Sequence, residues 1–258
     1  MLEKLTYNLK DYNQLNYGLI PDSILLNRIE KKYILNHSEL LNIINELRTN
    51  YLCLEVNDSI INKYNNIYFD TPDFDFYLLH HNNVANRLKI RKRYYKTTNT
   101  SYLEIKQKQN ERTFKSRLQI NNSEIHLAEN ELDFILKNTS LTNSFAIKSN
   151  VQINYKRLSL INKDFSERLS FDFDIEFISN TKKIELHDLV IAECKQIQSY
   201  KSHFVNAIKF QNIKQTSFSK YCIAISKLFP SIKHNNFKQQ LTFLENYFYD
   251  NAINAVTN

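Results

Sequence analysis

The sequence predicts an α+β fold, a mostly antiparallel sheet with one polar, cation-rich face and helices packed against it. Three observations predict it. Short segments alternate between charged and apolar side chains at the two-residue period of a strand, and they recur along most of the chain. In the segment 86–95 the alternation puts Arg87, Lys89, Arg91 and Arg93 on one side and Leu88, Ile90, Lys92 and Tyr94 on the other. Elsewhere apolar residues fall at helical spacing, as with Leu40, Leu41, Ile43, Ile44 and Leu47. Same-face neighbours in a strand stand about 6.5–7 Å apart, so the four cations of 86–95 repel one another unless water, carboxylates or a bound polyanion neutralises them.

In chain order, residues 1–26 are polar and tyrosine-rich, a lead-in expected to pack loosely, with Gly18 and Pro21 marking a turn. The strand 27–35 sets Arg28, Glu30 and Lys32 opposite Ile29, Tyr33 and Leu35. Ser38 is expected to cap the helix that follows. The segment 66–72 reads as a strand stopped by Pro72, with a helical turn through Phe76, Tyr77 and Leu79 behind it. His80 and His81 are adjacent and diverge on any regular element, which suits a polar helix end better than a metal site. After the strand 86–95 and the turn 97–100, the strand 102–108 completes a hairpin with Glu104, Lys106 and Lys108 on one face. The strand 113–120 repeats the rule, with Lys115, Arg117 and Gln119 opposite Phe114, Leu118 and Ile120.

An amphipathic helix over 126–137 is broken at 138–143. Val151, Ile153, Tyr155 and Arg157 then share one strand face, with Asn154 and Lys156 on the other, and which of these faces the polar side stays open. In 168–177 every even residue is polar and every odd one is Leu, Phe or Ile, which predicts one wholly apolar face. The segment 189–195 is nearly continuous in apolar residues except for Glu193 and Lys195, and such a strand is covered on both sides. Residues 236–255 read as a helix with Phe237, Leu241, Leu244, Tyr247 and Phe248 along one stripe.

Composition bounds the function. With 258 residues, of which 42% are hydrophobic, one large core and one domain are expected. The net charge of +7 favours an anionic partner, with nucleic acid, phosphate and anionic lipid all open. A single glycine excludes the dinucleotide fingerprint and the P-loop, so phosphate would have to be held by side chains. Cys53, Cys194 and Cys222 are odd in number and lack metal-ligand spacing, which suits a reduced, cytoplasmic protein. No secretory leader or membrane span is read in the chain. A polar sheet face is ordinarily the wet one. Glu193 and Lys195 on an otherwise apolar strand point instead to a shared polar interior, watery and suited to a polyanion. Nucleic acid fits less well, because the cations share strands with carboxylates instead of forming an uninterrupted patch with aromatic platforms.

The succession resembles the VTC-type polyphosphate polymerase domain, a branch of the CYTH-like triphosphate tunnel metalloenzymes. The resemblance spans Arg28 to Phe229. It is carried by the segments 28–33, 68–71, 89–94, 103–106, 115–117, 155–157, 168–172, 193–195 and 217–221 in that order. It implies a closed antiparallel eight-stranded β-tunnel with a polar basic interior and helices packed on the outside. The domain would occupy 27–235, after the lead-in 1–26 and before a C-terminal helix in 236–258 that packs on it or extends from it.

The resemblance implies catalytic roles for Lys32, Arg91, Arg93, Arg157, Arg168 and Lys220, and substrate binding by Lys106, Lys115, Arg117 and Lys195. Lys89 joins the second group by its face alone. A divalent metal, Mn²⁺ or Mg²⁺, would be held by Glu193 first, then Glu30, then Asp172, Asp174 or Glu176. Where the tunnel family often has two glutamates before its lysine, this chain has Arg28 and then Glu30, which leans toward the polymerase branch. The implied activity is transfer of the γ-phosphoryl group of ATP to a growing polyphosphate chain. Hydrolysis of tripolyphosphate or a nucleoside triphosphate on the same fold is the alternative, and a non-catalytic polyphosphate-binding module the third reading. Related domains work beside membrane partners, so the resemblance admits a membrane-protein partner at the inner face of a membrane. The oligomeric state is not legible.

Overall fold

The computed structural model describes residues 2–20, 28–121, 124–141, 147–197 and 201–256, with the side chains of Arg28 and of residues beyond 247 left aside. Asn27, residues 21–26 of the lead-in, Asn143 and the side chain of Phe248 therefore fall outside the description. The described chain is α+β, with one large sheet that is almost wholly antiparallel.

The strands of that sheet are β1 (Gln14–Asn16), β2 (Arg28–Leu35), β3 (Tyr51–Glu55), β4 (Ile61–Asp70), β5 (Arg87–Tyr95), β6 (Thr100–Gln109), β7 (Arg112–Ile120), β8 (Lys148–Asn162), β9 (Glu167–Ile178), β10 (Lys183–Leu186), β11 (Val190–Ile197) and β12 (Gln215–Thr216). Their hydrogen-bonded path runs β12-β2-β11-β9-β8-β4-β5-β6-β7, with β1, β3 and β10 attached at its flank. The expected closed eight-stranded tunnel is thus corrected to an open twelve-stranded sheet. The reason lies at the free edge of β2, where Gln215 and Thr216 of β12 pair with Tyr33 and Lys32. That edge is taken, and β7 remains an end of the path. With one glycine in the chain, positive-φ positions fall to other residues, chiefly Asn and Asp, including Asn99 between β5 and β6 and Asn110 between β6 and β7. Asn tolerates the left-handed region better than other side chains with a Cβ.

Cross-strand partners point to the same side of a sheet, so the register identifies two faces. On the outer one, Tyr33, Leu35, Leu158, Leu160, Leu169, Phe171, Phe173, Val190 and Ala192 form a core with α1 (Leu2–Leu9), α2 (His37–Leu47) and α5 (His203–Phe210). Leu5, Leu9 and Tyr12 are buried there, so the first part of the lead-in is packed, not loose. Asn36, not Ser38, caps α2, in a reciprocal pair of hydrogen bonds with Glu39. Further along the same face Ile67, Phe69, Leu88, Ile90, Leu103 and Ile105 pack under α4 (Glu129–Asn138). Lys92, the one cation of β5 on this side, is buried and pairs with Glu131 of α4 at 2.8 Å.

The inner face holds the third core. α6 (Lys220–Leu228) lies on it, against Ile34, Tyr68, Val151, Ile153, Tyr155 and Ile191, together with α3 (Asp75–His81) and α7 (Lys238–Val256). Helices therefore cover both faces, where they were expected only outside. Leu241 and Leu244 of α7 are buried in this core. A bulge in β9 explains a second correction. Asn154 pairs with Glu176 but Lys156 with Phe173, so Asp174, at φ 49°, is an inserted residue. The insertion flips every side chain beyond it. Leu169, Phe171 and Phe173 face the outer core while Ile175 and Phe177 face the inner one, instead of all five sharing one face.

Candidate functional site

The polar part of the inner face is assembled by register. Lys32 of β2 stands opposite Glu193 of β11, and Lys195 opposite both Glu30 and Arg168. Arg157 of β8 stands opposite Asp172, which settles the open face assignment of that strand. Across β4, Asn66 and Tyr68 face Arg93 and Arg91, and these face Tyr102 and Glu104 of β6. The last row is Lys89, Lys106 and Lys115 on β5, β6 and β7. Eleven sequence-predicted cations thus come to one side, ten from strands and Lys220 from the start of α6. The open sheet curls, for Lys106 and Lys115 of its far end feel the charge of Glu193 near the other.

The arginines are fixed. Arg91 donates from Nε to Glu104 Oε2 at 2.7 Å and from Nη1 to the Tyr68 hydroxyl at 2.9 Å. Arg93 donates to Asn66 Oδ1 at 2.8 Å and to the Tyr155 hydroxyl at 3.2 Å. Arg157 grips both oxygens of Asp172, at 2.5 and 2.8 Å. At the periphery, Arg168 donates to the Tyr17 hydroxyl at 2.9 Å and lies over its ring, and Arg117 lies over Tyr102. Each of the five sequence-predicted arginines of the site rests on a tyrosine. Sequence reasoning passed over these tyrosines; the signal was there, since Tyr64, Tyr68, Tyr102 and Tyr155 sit at the strand parity of the cations. Burial pushes the Tyr68 phenol up, but Arg91, Arg93 and Lys89 outweigh it and draw it below its ordinary value.

Three consecutive residues pin the start of α6 to three strands. Ser219, its N-cap, accepts from Lys89 at 2.9 Å, Lys220 pairs with Asp172, and Tyr221 donates to the buried Asp70. Asp70 also accepts the backbone N–H groups of Phe76 and Tyr77, so α3 and α6 hang on one carboxylate. His81 is equally occupied, by Asn82 and by the Asn236 N–H. His80 is pushed down to about 2 by burial and by Lys89, Arg87 and Lys106, which keeps it neutral.

The predicted metal ligands separate. Asp172 is buried, with both oxygens taken by Arg157 and one also by Lys220. Burial opposes its charge, but Arg157 and Lys220 hold its carboxyl below the usual range. Asp174 pairs with Lys156 and Glu176 with Lys183, beyond or at the bulge and away from Glu193. Only Glu30 and Glu193 come together, both on Lys32. Burial pulls Glu193 up, yet Lys195 and Lys32 outweigh it and keep the carboxylate ionised. Among the described residues no three Asp, Glu, His or Cys side chains converge. The pair fits a hard cation whose shell is completed by phosphate oxygens and water, the habit of Mg²⁺ and Mn²⁺, and does not fit an all-protein cage.

The VTC domain matches residues 27–229 of this chain. Among solved structures the chain is similar to a Hippeastrum protein described as a candidate adenylyl cyclase with a dominant triphosphatase activity, at 13% identity and a TM-score of 0.47, covering 78% of this chain and 96% of that one. It is similar to a candidate adenylate cyclase of Bacillus halodurans, at 14% identity and 0.45, covering 79% and 97%. A third is a protein of Pyrococcus horikoshii, at 13% and 0.44, covering 78% and 99%. No curated protein matches the chain. None of the described helices is long and apolar enough to cross a membrane. The matched span takes in every strand of the basic face and the pinned start of α6, and the chain belongs to the VTC-domain family.

Proposed function

We propose that this protein is a polyphosphate polymerase, moving the γ-phosphoryl group of ATP onto a phosphate chain held on the basic inner face. Membership of the family supports a triphosphate-tunnel enzyme. The observation that carries the finer reading is the row Lys89, Lys106 and Lys115, three cations directly opposite one another on adjacent strands with no carboxylate in the row. Like charges so placed destabilise a sheet, and a polyanion removes that cost.

In the transfer, an oxygen of the terminal phosphate of the acceptor chain forms a bond to the γ-phosphorus of ATP while the bond to the β-phosphate oxygen breaks. ADP leaves and the chain is one unit longer. Charge spreads over the equatorial oxygens of the moving group, so positioning and fixed cations do most of the work. Arg91, Arg93 and Arg157 would grip the triphosphate with forks already oriented by Glu104, Asn66 and Asp172. Lys32, Lys195 and Lys220 would neutralise charge nearby, with Arg117 and Arg168 farther out. No protein base is required, because a terminal phosphate oxygen is already a nucleophile. Glu193 and Glu30 would hold Mn²⁺ or Mg²⁺, which would supply further neutralisation of phosphate charge.

The test is incubation of purified protein with ATP and Mn²⁺, with product length resolved on a gel. Long-chain product is expected. Orthophosphate alone would replace the reading with a hydrolase on the same face, and tight binding of polyphosphate without turnover would replace it with a binding module.

A further inference from the structure

We propose that Tyr64 is a positioning residue of the anion site, a shared aromatic platform that holds the guanidinium groups of Arg93 and Arg157 in place. The inference rests on the reading of the inner face as phosphate-binding. Two cations from separate strands share this one ring: the Cζ of Arg93 lies 5.5 Å from its centroid and that of Arg157 5.3 Å. Both are within the range in which a guanidinium is attracted by an aromatic quadrupole. Register puts Tyr64 there, since on β4 it stands between Tyr95 of β5 and Tyr155 of β8.

The ring is itself held. It stacks on Tyr155 at 5.2 Å and 10° and meets Tyr95 edge-on at 5.1 Å and 64°. Asn66 and the Tyr155 hydroxyl fix one guanidinium, Asp172 and the Tyr155 ring the other, and both guanidinium groups lie over the Tyr64 ring. Replacing it with an aliphatic side chain removes the aromatic attraction the two cations share and leaves Arg157 to Asp172 and the Tyr155 ring, and Arg93 to Asn66 and the Tyr95 ring. Its hydroxyl makes no hydrogen bond among the described residues, and burial pushes the phenol up to about 12. The ring, not the oxygen, carries the role.

The closing experiment compares Tyr64→Phe with Tyr64→Leu in the full chain. Three things are measured: melting temperature, the Nε–Hε resonances of Arg93 and Arg157 without ligand, and tripolyphosphate affinity by calorimetry. Tyr64→Phe should match the unsubstituted protein within about twofold in affinity. Tyr64→Leu should move both arginine resonances toward solvent-averaged positions and weaken binding roughly tenfold, the size expected for a desolvated cation–π contact. Unchanged resonances and affinity in Tyr64→Leu would overturn the inference, and so would a Phe variant as impaired as the Leu one. Should Tyr64→Leu fail to fold, a series of increasingly fluorinated phenylalanines at 64 should weaken affinity stepwise at constant melting temperature, and a flat series would overturn it. If the unsubstituted protein bound no tripolyphosphate, the phosphate reading would fall, while the ligand-free resonances would still decide the positioning role.

Discussion

The arginine cluster and the lysine row lie on the same face, meet on β5 and are built in opposite ways. Arg91 and Arg157 have carboxylate partners, Glu104 and Asp172, and Arg93 has Asn66, with tyrosine rings around all three. Lys89, Lys106 and Lys115 face one another with no carboxylate among them, and Lys89 donates to the neutral Ser219 hydroxyl. Burial lowers Lys115, Lys195 lowers it further, and Glu193 offsets this only in part. Fixed forks are preorganised for one bound geometry, whereas flexible ammonium groups on long stems adapt to a chain that slides. The difference suggests a division of labour: arginines for the reacting triphosphate, lysines for the polymer.

The largest effect should come from the arginines. Arg91→Ala or Arg93→Ala is expected to reduce polymer formation by about 10²–10³-fold, the usual result of removing a preorganised charge-stabilising group. Arg91→Ala should also lower the melting temperature, because it removes the 2.6 Å ion pair of Glu104 and leaves it only the one with Arg93 at 3.9 Å. In the row the sign reverses: Lys106→Met should raise the ligand-free melting temperature by about 1–3 °C, since it relieves a like-charge pair. Thermal melts of both variants side by side check this, and equal signs would break the comparison.

Asp172→Asn should have the next largest effect, about tenfold or more on kcat, since it frees Arg157 and Lys220 together. Mn²⁺ affinity, measured by titration, should not change. A lost Mn²⁺ site would return Asp172 to the metal ligands and remove it from the arginine cluster.

Strand parity made the basic face legible in the sequence, because the period of two survives in β5, β6, β7 and β11 without interruption. What escaped has physical causes. The bulge at Asp174 inserts one residue into a perfect-looking alternation, and a period count cannot see a positive φ where Asp stands in for Gly. Asp174 and Glu176 therefore read as continuing the face of Asp172, which they do not. Closure was expected from the resemblance, but no local pattern says that the two-residue β12 takes the edge of β2. α6 was hidden because Tyr221–Ile225 is apolar on all sides, the mark of a helix buried in a core rather than of one with a wet face.

Tripolyphosphate should raise the melting temperature, and the shift sharpens the comparison because the row sets three cations side by side with no carboxylate among them. Ligand at 100 times its Kd contributes about 2.7 kcal/mol, a shift of roughly 5–10 °C for a chain of this size. Most of that shift should disappear near 1 M salt, where the screening length falls to about 3 Å. In Lys106→Met the shift should be smaller, and in Asp172→Asn, which leaves the row intact, it should be closer to that of the unsubstituted protein.

The smallest effect is the most specific to the row. Lys106 is exposed to water on the inner face, yet partial desolvation by the surrounding protein together with Lys89, Lys115 and Lys32 pushes its ammonium down to about 8 against the pull of Glu193. Its folded value lies below its unfolded one, so between about pH 8 and 10.4 the folded state holds fewer protons. Over that window the ligand-free protein should gain stability from this group as pH rises. Phosphate binding runs the other way, for the bound anion favours the charged ammonium, and tripolyphosphate affinity should fall as pH climbs through 8. Near pH 8 binding should take up a fraction of a proton, seen as a calorimetric enthalpy that depends on the buffer. Lys106→Arg, charged at every working pH, should keep the affinity and lose most of the uptake. Arg91 and Arg93 cannot titrate there, so a proton uptake that survives in Lys106→Arg would show that the row does not carry it, and the contrast with the arginine cluster would fail.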